Sequence, residues 1–188
     1  MDNAAIILKT LDEHLDHPVR LARDGRAALH LGFANPPAEA GKSQDVDCII
    51  PMTDLESLTA DAGFWDAQEA TNEKLRPAGL YITHLFREYQ VFMRRGWEQH
   101  ILPITRPPLR WLKLFRPAAL DLILTKMMRG ADPQDMADAE FMIRHERVTE
   151  PQLLEAFSHM KPIEWVELRD AFERAKHVVL KMSRTASI

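Results

Sequence analysis

The sequence predicts a mixed α/β fold: a small mixed sheet flanked by helices, followed by a helical C-terminal region. Two observations carry this. Short β-prone runs at 19–22, 44–50, 80–86 and 109–115 are interleaved with helical patterns and breakers as far as residue 116. From Pro117 onward every periodic segment reads as helix. The natural division is therefore 1–116, an α/β domain, and 117–188, a helical region packed on it.

Each element has a local reason. Residues 3–15 place Ile6, Ile7, Leu8, Leu11 and Leu15 at helical spacing, and Asp16-His17-Pro18 ends that helix. A short strand at 19–22 leads to the turn signal Asp24-Gly25, then to a helix over 26–31. A loop over 32–43 precedes the strand 44–50, which stops at Pro51. Thr53 and Glu56 fit a capping box and predict a helix start there; another helix follows over 62–75. Arg76-Pro77-Ala78-Gly79 breaks the pattern ahead of the strand 80–86, and residues 90–93 pair with that strand or begin another. Pro103, Pro107 and Pro108 mark an irregular segment before a strand over 109–115 with Trp111 inside it. Beyond Pro117, one helix ends at Arg129-Gly130, and a second runs from Asp132-Pro133 to about Arg144. Thr149 caps a third, and Pro162 opens a last one carrying Ile163, Val166, Phe172, Ala175 and Val179.

Composition narrows the class. At 188 residues, with 46% hydrophobic and 28% charged residues, a core of ordinary size is affordable. The acidic N-terminus has no long apolar run, so no signal peptide is expected, and no segment has the length to span a membrane. Cys48 is the sole cysteine, in the apolar half of a strand. A buried thiol and a reducing cytoplasmic setting are expected. The net charge of −4 hides an asymmetry: residues 87–129 carry nine Lys/Arg against three acids, a window of +6, which leaves the remainder at −10. Such a basic middle suits a triphosphate or an RNA; the plain alternative is a solvated surface with its charges on several faces.

Chemistry concentrates in 23–51. Asp45 and Asp47 lie two apart in a strand, so both carboxylates project from one face while Val46, Cys48 and Ile50 face the core. Carboxylates this close repel unless a cation lies between them, and Mg²⁺ (or Mn²⁺) is the common answer. The plain alternative is a solvated strand face. Upstream, Gly25 lets the backbone make a tight turn into a helix.

This arrangement resembles the core of the nucleotidyltransferase superfamily: a glycine turn, a helix, then Asp-x-Asp on the next strand. A second segment, 117–144, resembles the downstream signature of a prokaryotic branch. That branch includes the AbiEii/AbiGii-type and MenT-like toxin nucleotidyltransferases and their uncharacterised relatives. Its apolar helix ends here in Leu124-Thr125-Lys126, and the next helix opens with Gln134-Asp135-Met136-Ala137-Asp138. The resemblance covers roughly 19–145. It implies that Asp45 and Asp47 hold Mg²⁺ with the triphosphate of an NTP, and that Gly25 and Arg26 contact phosphate. Lys126 would hold a phosphate, with Asp135 or Asp138 orienting it or positioning the acceptor. The activity implied is transfer of a nucleoside monophosphate to an RNA end, such as a tRNA, or to a protein hydroxyl. A toxin paired with an antitoxin protein is a further implication.

Two departures from the family pattern bear on function. The first motif is Asp24-Gly25-Arg26 where Gly-Gly or Gly-Ser is usual, so Arg26 either obstructs phosphate or grips it. The usual third carboxylate has no counterpart in 81–86, where the strand offers His84, equally a core histidine, with Glu88 just beyond. A degraded, non-catalytic binding or partner module is therefore the competing reading. A plain RNA-binding domain would rest on the basic middle alone. His14 and His17 read as exposed, without further ligand spacing.

Overall fold

The structure, a computed structural model, describes residues 2–161 and 165–186, apart from the side chain of His84. Pro162 and Ile163, expected to open the last helix, lie outside the described residues. The chain is mixed α/β and forms two compact units. The first comprises the residues up to Glu88 together with Ile101–Arg116; the second comprises Tyr89–His100 and everything from Pro117. Residues 89–100, which the sequence places in the α/β domain, thus belong with the helices.

In the first unit the elements run α1 (Asn3–His14), β1 (Val19–Arg23), α2 (Gly25–Gly32), β2 (Asp45–Ile50), α3 (Met52–Ala60), α4 (Ala62–Leu75), β3 (Tyr81–Arg87), β4 (Leu102–Ile104) and β5 (Leu112–Arg116). The strands form one sheet in the order β3-β2-β1-β5-β4. Pairings β1/β2 and β4/β5 are antiparallel; β1/β5 and β2/β3 are parallel. The core face takes alternate residues of the central strands, Val19 and Leu21 from β1, then Val46, Cys48 and Ile50 from β2. Against them pack Ile7, Leu8 and Leu11 of α1 and Phe64 and Ala67 of α4. Period-2 strands and period-3.6 helices thus bury their apolar sides together.

Single polar side chains fix the joints. Asp12 of α1 accepts the backbone N–H groups of Arg110, Trp111 and Leu112 at 2.8, 2.7 and 2.8 Å. That carboxylate holds the proline-rich segment at the point where it enters β5, and Trp111 lies just before the strand rather than inside it. At the other side of the sheet, Asn72 of α4 accepts from the Ile82 N–H (2.8 Å) and donates to the Ile82 carbonyl (3.1 Å). Gln68 adds a bond to the same carbonyl at 3.3 Å. His17 bridges Asp16 and Asp61, the N-cap of α4, at 2.6 and 2.7 Å. Of the two histidines expected to be exposed, His14 is exposed and His17 is half-buried in this bridge.

The structure corrects three local expectations. The helix expected to start at Thr53 starts at Met52, after Pro51. No Thr53–Glu56 box forms; the Glu88 carboxylate accepts the Met52 N–H at 3.1 Å, so a distant acceptor supplants the local cap. Residues 90–93 form no strand: a 3-10 turn occupies Glu88–Gln90, and the next pairing is a single bridge between Arg94 and Met160. The irregular segment, in turn, contains the short edge strand β4.

The second unit contains α5 (Ala119–Lys126), α6 (Pro133–Glu146), α7 (Glu150–Ser158) and α8 (Val166–Ala186). Asp132 caps α6 by accepting from Gln134 and Asp135, and the Thr149–Gln152 capping box opens α7. Phe172 of α8 makes edge-to-face contacts with Phe92 and Phe157. Asp121, with no exposed surface, accepts from the Arg94 backbone N–H, Nε and Nη2 at 3.2, 2.9 and 2.6 Å. This bidentate pair ties the segment 89–100 to α5.

Replacing Asp12 by Ala should cost about 1–3 kcal/mol, since three amides lose a charged acceptor; urea unfolding measures it, and a change within error would remove Asp12 as an anchor. The hydrogen bonds that His17 donates to Asp16 and Asp61 raise its pKa. The stabilisation is therefore complete below about pH 6.5, the unfolded value, and disappears as pH rises through the higher folded value. The melting temperatures of wild type and His17→Gln should differ most in mild acid and converge in alkali; a pH-independent gap would contradict this.

Candidate functional site

The β1–α2–β2 connection builds the first cluster. β1 and β2 pair with Ala22 opposite Ile49 and Arg23 opposite Cys48. The next backbone step closes the hairpin, as the Asp24 N–H donates to the Asp47 carbonyl at 3.0 Å. Gly25 follows with φ +62°, a left-handed conformation that a side chain disfavours. A Cβ at Gly25 would also stand 3.4 Å from Asp47 Oδ2. The glycine turn thus lies directly against the carboxylate of Asp47. Arg26 occupies the first turn of α2 and is half-buried.

Asp45 and Asp47 are both half-exposed, while Val46 and Cys48 between and beyond them are fully buried. The i, i+2 spacing therefore puts both carboxylates on one face of β2. Ser43 donates to Asp45 Oδ1 at 2.7 Å, and Thr83 of β3 donates to Asp47 Oδ1 at 3.0 Å. Ladder partners run Val46–Ile82 and then Cys48–Leu85, so Thr83 and His84 both fall opposite Asp47. Such a bulge re-aims a side chain, and here the Thr83 hydroxyl reaches Asp47. Neither Ser43 nor Thr83 stood out in the sequence. The Ser-x-Asp spacing was a usable signal for the first; the second depends on strand register, which no local pattern encodes.

The donor set is two carboxylates flanked by two hydroxyls, all hard oxygens. That set suits Mg²⁺ or Mn²⁺ held by one or two carboxylates and completed by phosphate and water. Among the described residues no group of three or more His, Cys, Asp or Glu is placed to hold a metal by itself. The residues fit a dication that takes its remaining ligands from a substrate. Burial pushes the Cys48 thiol up, so it remains a protonated core residue and not a ligand. His84 is in β3, and its side chain lies outside the described residues.

The second cluster is in the helical unit. Lys126, at the end of α5, donates to Asp135 Oδ1 at 3.2 Å and to Asp138 Oδ2 at 2.8 Å. All three side chains are at least nine-tenths buried. Arg129 adds a bond from Nε to Asp135 Oδ2 at 2.6 Å, which raises the arginine pKa. The i, i+3 spacing of Asp135 and Asp138 aims both carboxylates at one cation. Lys126, expected to hold a phosphate, is thus bracketed by both of the aspartates expected to orient it.

Many cations of the basic window are engaged inside the fold. Arg94 pairs with Asp121, and Arg106 donates to the Phe33 carbonyl at 3.2 Å. Arg116 donates to the Gly32 carbonyl at 2.9 Å and stacks 3.8 Å from the Phe33 ring centroid. The Arg116 side chain lies across Gly32, where a Cβ would overlap it. A groove of about 260 Å³ lies among Pro103, Pro107, Leu109, Leu112 and Leu114, and none of the candidate site residues lines it. No helix among the described residues is long and apolar enough to cross a membrane.

No protein-family model, curated protein or solved structure matches this chain.

Removing one partner of the buried Lys126 cluster should be costly. Asp138→Ala is expected to destabilise the helical unit by about 3–5 kcal/mol, and a Lys126→Met/Asp138→Leu double replacement to recover much of that. Denaturant midpoints of the three proteins decide it; a mild effect in Asp138→Ala would show that the charges are solvated in solution.

Proposed function

We propose that the chain is a Mg²⁺-dependent nucleotidyltransferase that moves a nucleoside monophosphate from an NTP to a hydroxyl of an RNA or protein acceptor. The observation that carries this is the glycine turn packed against Asp47, with Asp45 beside it on the same exposed strand face. In the reaction the acceptor hydroxyl oxygen bonds to the α-phosphorus and gives up its proton to water, the bond from that phosphorus to the α–β bridging oxygen breaks, and pyrophosphate leaves with that electron pair. Asp45 and Asp47 would hold the dication. When bound, it offsets phosphate charge and orients the α-phosphorus for in-line attack. The chain's own groups do the rest of the positioning. Thr83 and Ser43 fix the rotamers of the two carboxylates. Gly25 leaves room for a triphosphate to approach the backbone at the start of α2, where the helix dipole favours negative charge. Arg26 lies in that first helical turn, where its guanidinium would either grip phosphate or obstruct it.

A second reading has a specific observation in its favour. With two carboxylates and no third ligand among the described residues, the same site would serve a non-catalytic nucleotide-binding or partner module.

Calorimetric titration with each NTP, with and without Mg²⁺, separates these readings when paired with transfer of labelled nucleotide to total tRNA or lysate protein. The enzyme reading expects Mg²⁺ to tighten NTP binding, label transfer to an acceptor, and loss of both in Asp47→Asn. Binding without transfer supports the module; no binding at millimolar NTP removes the nucleotide site altogether. Arg26→Ser should weaken binding by about 1–3 kcal/mol if the guanidinium grips phosphate. Tighter binding would mean that it obstructs.

A further inference from the structure

Among the described residues, Arg23 is the fully buried cation beside the carboxylate pair. It is the last residue of β1 and has no exposed surface. Its Nη1 donates to Cys48 Sγ at 3.2 Å, while Nε and Nη2 have no hydrogen-bond partner among the described residues. A guanidinium keeps its proton in proteins, so a positive charge is fixed inside the hairpin. Apolar burial of such a charge is unfavourable, and among the described residues the core offers it a neutral thiol. Burial lowers the Arg23 pKa, and the hydrogen bond to Cys48 and the carboxylates of Asp47 and Asp24 oppose that effect.

The geometry places this charge close behind the candidate site. Arg23 pairs in register with Cys48, the neighbour of Asp47, and points to the core face, whereas Asp45 and Asp47 point to the other. The residue after Arg23 donates its N–H to the Asp47 carbonyl. Because the guanidinium is buried, its field is little screened by salt.

We propose that Arg23 is a positioning residue that makes the Asp45/Asp47 pair disfavour a bare divalent cation and favour the same cation carried on an anionic triphosphate. This rests on the nucleotidyltransferase reading of the site. A bare dication is attracted by two carboxylates and repelled by the fixed guanidinium. A metal–triphosphate complex carries net negative charge, so the same guanidinium attracts it. The lack of a third ligand among the described residues works in the same direction. A pair of carboxylates is a weak holder of a free ion, and Arg23 weakens it further until phosphate arrives.

Mn²⁺ is the probe, with free ion counted by its paramagnetic resonance signal. Wild type, Arg23→Met, Arg23→Lys and Arg23→Gln are titrated with and without a non-hydrolysable NTP analogue. Thermal unfolding checks each fold, and Arg23→Gln replaces Arg23→Met if the latter does not fold. Wild type should bind bare Mn²⁺ weakly and bind it roughly tenfold or more tightly with nucleotide, as expected for a nearby unscreened charge. Loss of the charge in Arg23→Met or Arg23→Gln should tighten bare Mn²⁺ by a similar factor and shrink the advantage given by nucleotide. Arg23→Lys, which keeps the charge, should stay near wild type. Unchanged bare-Mn²⁺ affinity in the neutral variants, or a Lys variant that behaves like them, overturns the role of Arg23 and leaves the site intact. Absence of Mn²⁺ binding to every protein, with nucleotide present, overturns the metal-dependent reading itself and this inference with it.

Discussion

The backbone hydrogen bond from Asp24 to the Asp47 carbonyl, 3.0 Å long, sets the geometry on which the candidate site depends. It joins the end of β1 to the middle of β2 at the point where the chain must turn into α2. With that distance fixed, the residue after Asp24 has to pass within contact of the Asp47 carboxylate, and it has to do so with positive φ. Only a glycine meets both demands cheaply. The bulge that brings Thr83 onto Asp47 acts from the other side. Asp47 is therefore constrained by β1, β3 and the start of α2 together. The backbone of Asp45 is held in the ladder opposite Tyr81, and its carboxylate by Ser43 two residues before it.

Buried charge is managed in different ways across the chain. Asp121 and Arg94 form a bidentate pair with a backbone bond added, so the carboxylate is saturated. Lys126 shares its protons between two carboxylates, one of which is also held by Arg129. Both arrangements lose much more when one partner is removed than they contribute over an apolar replacement. They serve to specify packing among helices. Arg23 differs because its contact is with a thiol and its field extends to Asp47 and Asp24.

The parts of this structure legible from sequence are those with local causes. Period and punctuation located α1, α4, α6 and β2 to within a residue or two, and Thr149 with Gln152 marked the start of α7. Asp45 and Asp47 share a face because strand geometry requires it, whatever surrounds them. Non-local choices were not legible. Thr53 and Glu56 carry a capping pattern, yet a carboxylate 36 residues away in sequence occupies the helix start. Residues 90–93 are β-prone, but the Arg94–Asp121 pair draws their segment to the helical unit. The strand expected over 19–22 stopped short of Arg23, whose burial follows from its register with Cys48. Lys126 was visible as a cation beside an Asp-x-x-Asp helix, whereas its enclosure by both carboxylates needed the packing of α5 on α6.

The carboxamide of Asn72 has a consequence beyond holding α4 to the sheet. It presents one acceptor and one donor to Ile82, the pattern that a neighbouring strand would present. The β3 margin is thereby terminated at that residue by a side chain imitating backbone. At the opposite margin β4 is only Leu102–Ile104, and its central Pro103 has no N–H to offer. A sheet finished in this way resists growth by added strands. At Ile82 and Pro103, pairing with an added strand is thereby disfavoured.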